Sequence, residues 1–212
     1  MIHSILADKA TRLYIILGAF FVTCALLAEM IGVKLFQLEH LIGVEKADFS
    51  LLGQDHLSFV LSVGVLPWPI VFIMTDVIND YYGVRGVRFL TMIAAALIAF
   101  AFVVLWCAMY MPAADFWIGS SALQGVPDMQ AAFTSIFGQG MNIIIGSLCA
   151  FIIGQLIDAV TFRRIKHITG DKRIWLRATG STLISQLIDS VVVTYMAFWV
   201  FKGWSFALCT AL

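Results

Sequence analysis

Charged residues are scarce in this chain. Aspartate, glutamate, lysine and arginine make up 12% of its 212 residues, where a soluble domain averages about 25%. With 61% hydrophobic residues and a mean hydropathy of +0.96, the chain reads as an integral membrane protein. The formal net charge is zero, so bulk charge argues for no nucleic-acid or acidic partner. Cysteine offers no framework either. Cys24, Cys107, Cys149 and Cys209 sit in apolar stretches without paired spacing and read as small hydrophobes, not disulfides or a metal clip. There is no P-loop, no H-E-x-x-H, no G-x-S-x-G and no Cys/His cluster, so nothing supports ATP hydrolysis or intramembrane proteolysis. No nucleophile–base pair stands at helical spacing. No enzyme activity, cofactor or metal is expected. No signal peptide is expected: Lys9 and Arg12 precede a long apolar run without a small-residue cleavage site, and Tyr14 suits an interfacial anchor for a retained helix.

What the chain has is long apolar runs. Five spans are expected in a single membrane domain covering residues 1–212: about 13–36, 57–82, 89–111, 141–162 and 176–201. Each allows ~20 residues of helix across ~30 Å of hydrocarbon. The tail 204–212 reads as the opening of a sixth helix. The fold class is an all-α membrane bundle of five complete helices plus the start of a sixth. A short outer amphipathic helix is added by Met129, Ala132, Phe133, Ile136 and Phe137 at helical spacing. Pro67 and Pro69 flank Trp68 in the second span, where they predict either a plain kink or a break facing a cavity. Ten of the 13 basic residues lie beside the first span or between spans two and three or four and five. The positive-inside rule makes those segments, and the N-terminus, cytoplasmic. The opposite side carries Glu39, Glu45, Asp48, Asp55, Asp115 and Asp128.

The polar residues inside the spans fall into a pattern. Gln155-Leu156-Ile157-Asp158 recurs as Gln186-Leu187-Ile188-Asp189, placing an acid three residues after an amide in two membrane helices. An aspartate at a helix centre costs ~2.5–3.5 kcal/mol on the insertion scale, so such residues are rarely idle. Gln155 precedes Arg163 by eight residues and Gln186 follows Arg177 by nine, so both lie roughly 12–14 Å inside the basic boundary. Two amides at one level are expected, with Asp158 nearer the basic side and Asp189 deeper. Ser181, Ser185 and Asp189 continue one stripe, and Ser147 leads toward Asp158. The structural alternative is that Ser and Gln only join helices while Asp158 pairs with Arg163 or Arg164. Asp76, Asn79 and Asp80 share a face at the cytoplasmic end of the second span. Asp76 and Asn79 are taken as site candidates, and Asp80 as a helix end leaving the membrane. Lys34 is expected to snorkel, and Glu29 either pairs with it or enters the cavity.

At these residues the chain resembles the queuosine precursor transporters, small six-helix bacterial membrane proteins related to vitamin-uptake carriers. The resemblance rests on Met74-Thr75-Asp76-Val77-Ile78-Asn79-Asp80-Tyr81-Tyr82-Gly83, on Gly146-Ser147-Leu148 with Gln155 to Asp158, and on Trp175-Leu176-Arg177-Ala178-Thr179 leading through Ser181-Thr182 to Gln186 and Asp189. It covers roughly residues 60 to 201. Asn142 departs from it, standing where a basic residue is expected, and the last helix implied by the family is not completed by residue 212. The resemblance implies a multi-pass protein of the bacterial inner membrane importing 7-cyano-7-deazaguanine or its aminomethyl relative, with the lipid bilayer and that purine-like small molecule as partners. A homo-oligomer is left open.

The residues suit that chemistry independently. A deazaguanine offers two adjacent N–H donors and a carbonyl. One carboxylate accepts from both donors, a Gln amide donates to the carbonyl, and an aromatic face covers the ring. Trp68, Phe72 and Phe151 are the stacking candidates, and Asp76, Asn79, Gln155, Asp158, Ser181, Ser185, Gln186 and Asp189 the polar ones. Other readings are a substrate-binding subunit for a separate ATPase, for which Ala95 and Ala99 give a small-residue docking pattern, and a non-transporting membrane scaffold.

Overall fold

The computed structural model describes residues 8–51, 54–141, 144–170 and 174–195. Helix α1 (Lys9–Ile31) starts at Asp8, whose carboxylate accepts the backbone N–H of Ala10 and Thr11, the usual device for capping open donors. The chain then enters an outer segment with four short strands, β1 (Leu35–Gln37), β2 (Phe49–Leu51), β3 (Gln54–Leu57) and β4 (Val60–Ser62), and a one-turn helix α2 (Leu38–Ile42). β1 pairs antiparallel with β4, and β2 with β3. Glu39 pins this segment by accepting the N–H of Phe59 at 2.9 Å and of Ala47 at 3.3 Å, which holds its carboxyl below the usual range.

Two expected boundaries are corrected here. The first helix ends at Ile31, because Phe36 belongs to β1. The second begins at Trp68 and not near Leu57, which is the last residue of β3. Nor do the prolines kink a helix. Pro67 is the N-cap and Pro69 lies in the first turn of α3 (Trp68–Tyr110), where a missing N–H breaks no helical bond.

Helix α3 has 43 residues, and a straight helix of that length would run ~65 Å, twice the hydrocarbon thickness. It folds back instead. Gly83 has φ 69° and ψ −178°, a region open essentially to glycine alone. Tyr82 donates its hydroxyl to Ala10 and Ser62 donates to Gly32, so residues 68–82 run antiparallel to α1. Tyr14 reaches the Gly86 carbonyl and Gly18 abuts Leu90, so residues 84–110 run parallel to it. The Arg163 side chain occupies the space a Cβ on Gly83 would need.

After α4 (Asp115–Ile118) comes α5 (Met129–Met141), the expected short outer helix. It is tied to α3 by Gln130, whose amide donates to the Met109 carbonyl at 3.0 Å. Helices α6 (Ile144–Thr169) and α7 (Ile174–Thr194) complete the described residues. α6 extends beyond its expected end near Phe162, so Arg163, Arg164 and Lys166 lie in helix and not in a loop. Asn142, the stretch 196–201 and the tail from 204 lie outside the described residues.

Among the described residues, three helical segments are long and apolar enough to cross a membrane: Lys9–Ile31, Val63–Tyr110 and Ile144–Thr169. The core between them is built from Phe21, Val71, Ile78, Leu90, Ala94, Ile98, Phe151 and Ala159. One end of the bundle, here called inner, gathers Lys9, Arg12, Arg85, Arg88, Arg163, Arg164, Lys166 and Arg177, while the outer end carries the strands and α5.

Replacing Gly83 by alanine forces a side chain into both the positive φ and the Arg163 guanidinium. Thermal unfolding in detergent should show a loss of about 1–3 kcal/mol. An unchanged midpoint would mean that the reversal tolerates an ordinary residue.

Candidate functional site

α6 and α7 pack antiparallel in a register fixed by three contacts. Gly180 faces Ile165, Ser185 faces Asp158, and Asp189 abuts Gly154. The last pairing is close: a Cβ at 154 would stand 3.3 Å from the Asp189 carboxylate, which would have to give by a few tenths of an ångström. Gln186 therefore sits about two residues, or ~3 Å, inward of Gln155 and not level with it, while Asp158 and Asp189 take the inner and outer positions expected of them.

One small cavity gathers much of the expected site. Trp68, Phe72, Phe151, Gly154, Gln155, Gln186 and Asp189 line it. The rings form a wall: Trp68 lies 5.9 Å from both Phe72 and Phe151, the first pair stacked at 30° and the second tilted at 43°. Gln155 is 2% exposed. The Thr75 hydroxyl lies 2.9 Å from both the Gln155 side-chain oxygen and the Val71 carbonyl. With one proton to give, it donates to one of them at a time, which leaves the Gln155 amide free to present either end to the cavity. The free volume is about 10 Å³, room for roughly one water. A larger groove of about 640 Å³ at the outer end is lined by Leu35, Phe36, Gln37, His40, Leu41 and Val60 and gathers no comparable set of polar groups.

The other expected residues lie one layer inward. Asp158 is fully buried, with Ser185 donating to it at 3.3 Å and Ser181 and Thr182 beside it. Asp76 stands close enough to Asp158 and Arg177 for their charges to interact. Asn79 donates to the Ala159 carbonyl at 2.8 Å, joining α3 to α6. Asp80 does not simply leave the membrane. It accepts Lys166 from α6 and, at 3.2 Å, Arg177 from α7.

Three residues were misread or missed in the sequence. Arg177, counted as a loop charge, is 1% exposed and lies over the Phe162 ring at 5.2 Å. Its position in a short gap between apolar runs looks like a loop because the cation's partners come from other helices. Thr75 carried no signal apart from its neighbours in the Met74–Gly83 motif. Glu29 is not among the residues that line the cavity, and no ion pair joins it to Lys34 among the described residues: Ser147 donates to its two oxygens, at 2.6 and 2.7 Å.

A family profile described as "Putative vitamin uptake transporter" matches residues 62–212. The chain is 32% identical over 139 residues to a "Probable queuosine precursor transporter" of Bacillus subtilis, covering 65% of this chain and 56% of that protein. It is 28% identical over 166 residues to the "Queuosine precursor transporter" of Escherichia coli, 76% of this chain and 66% of the relative. A Haemophilus influenzae relative, also a "Probable queuosine precursor transporter", is 26% identical over 153 residues, 71% and 57%. The match thus spans less than two thirds of each relative's length. No solved structure matches the chain.

The inner ion pairs differ in burial, and that sets their worth. Asp80→Asn removes the carboxylate facing a fully buried guanidinium and should lower stability by about 1–3 kcal/mol. Lys166→Met, at a side chain 34% exposed, should cost under about 1 kcal/mol. Thermal melts of the two variants in one detergent give the comparison, and equal losses would deny Arg177 its part in the joint.

Proposed function

The chain belongs to the vitamin uptake transporter family, and we propose that it carries a queuosine precursor, 7-cyano-7-deazaguanine or 7-aminomethyl-7-deazaguanine, across the bacterial inner membrane into the cytoplasm. The observation behind this reading is the cavity. It joins an aromatic wall, two amides and one carboxylate, the groups that the edge and face of a deazaguanine call for. Asp189 accepts the two adjacent N–H donors of the base, Gln155 or Gln186 donates to its carbonyl, and the ring slides between Trp68 and Phe151. A cavity of about 10 Å³ is a closed one, so α7 or the aromatic wall moves when substrate enters. Matched buried donors and acceptors reject lookalikes, because a wrong edge leaves polar groups unpaired.

In this reading five helices cross the membrane. α1 and α6 supply two, residues 63–82 and 84–110 of the apolar segment Val63–Tyr110 supply two more, and α7 the fifth. The basic inner end and the N-terminus face the cytoplasm.

Asp189→Asn keeps the size but sets an N–H against an N–H. Losing one charge-assisted hydrogen bond should weaken precursor binding to purified protein roughly tenfold to a hundredfold. Unchanged affinity in a monodisperse variant would remove Asp189 from the site. For orientation, a cysteine at position 46 should react with an impermeant thiol reagent added to intact cells, and one at position 168 should not. The reverse pattern would invert the topology and the direction of import with it.

A further inference from the structure

Glu29 is a carboxylate in the last turn of α1, where the helix macrodipole already presents negative potential. Its donor among the described residues is the Ser147 hydroxyl, which approaches both oxygens, at 2.6 and 2.7 Å, with a single proton. Asp189 is near enough to repel it. The helix end, the missing donors and the neighbouring acid are all relieved by a cation. We propose that Glu29 is the residue that reads the charge of the precursor's side arm and makes this a site for the aminomethyl precursor in preference to the cyano one. The inference rests on the substrate class proposed above.

Placement supports it. Ser147, which holds Glu29, precedes Gly154, which holds Asp189, by seven residues of α6, two turns on one face and ~10 Å along the axis. That is about the long dimension of a substituted two-ring heterocycle. With the donor edge of the base at Asp189, the substituent on its five-membered ring extends outward toward Glu29. An aminomethyl arm is a primary amine with a basicity near that of lysine, about 10, so it arrives as a cation with three N–H donors. It takes the acceptor positions that Ser147 leaves open. A nitrile is neutral and offers only a lone pair, which faces those of the carboxylate.

The experiment compares binding of both precursors to the purified full chain and to Glu29→Gln, which keeps the size and the Ser147 contact. Wild type should prefer the aminomethyl compound. The variant should bind it roughly tenfold to a hundredfold less tightly while changing cyano binding by less than about threefold. Equal losses for both compounds, or no preference in wild type, would overturn the proposal and leave the precursor site standing. Binding of neither compound by wild type would overturn the site itself. If Glu29→Gln does not fold, Glu29→Asp decides: it keeps the charge but withdraws it by one methylene, so it should weaken the aminomethyl compound selectively, and an unchanged ratio of affinities would count against the proposal.

Discussion

Apolar helices in lipid gain nothing from hiding their apolar faces against one another, so this bundle depends on polar groups that reach from helix to helix. Ser147 donates to Glu29 across α6 and α1, Thr75 meets Gln155 across α3 and α6, and Asn79 donates to Ala159 beside it. Ser185 joins α7 to α6 through Asp158, and Asp80 accepts cations from both. These contacts fix which faces meet and in what register. The aliphatic residues then fill the space between the faces.

Glycine sets how closely the faces meet. Gly18 lies against Leu90, Gly154 against Asp189 and Gly180 against Ile165, each with less room than a comfortable Cβ contact. At Gly154 this packing has chemical content. A carboxylate standing over a glycine has an open side, and that side is where Gln155, Gln186 and the aromatic wall converge. A methyl group at 154 would fill part of the same space and crowd the Asp189 carboxylate. The Gly83 turn acts at longer range, because it returns residues 84–110 to the side of α1 and lets residues 68–82 bring Trp68, Phe72 and Thr75 to α6.

Much of the candidate cavity's lining was legible because the Gln-Leu-Ile-Asp repeat is a local signal: two acids at fixed distances from basic boundaries give depth directly. That arithmetic placed Asp158 inward and Asp189 outward and brought Gln155 and Gln186 to one cavity. It missed by about two residues in register, since helix count cannot show that Gly154 lets α7 settle against Asp189. The family was legible in the motif around Met74–Gly83, whose glycine makes the reversal. The outer strands were not, because residues 35–36 and 57–62 are apolar enough to pass for helix ends, and it is the pairing of β1 with β4 that makes β1 and β4 strands. Glu29 and Arg177 were hardest. Each is explained by a partner more than 90 residues away in sequence, and no local pattern carries such a contact.

The polar interior is divided into two layers with different charge balance. In the inner layer Asp80 faces Lys166 and Arg177, and Arg177 also stands near Asp76. Acids and bases occur together there, while Asp76, Asn79 and Asp158 each keep one buried side-chain oxygen without a hydrogen bond. In the outer layer Asp189 lines the cavity with Gln155 and Gln186, and Glu29, outside that lining, accepts from Ser147. Hydroxyls and amides supply single hydrogen bonds but no counter-charge, so that layer gains most when something else brings donors to it. The inner ion pairs tie α3 to α6 and α7, whereas the outer acids are met by hydroxyl and amide neighbours.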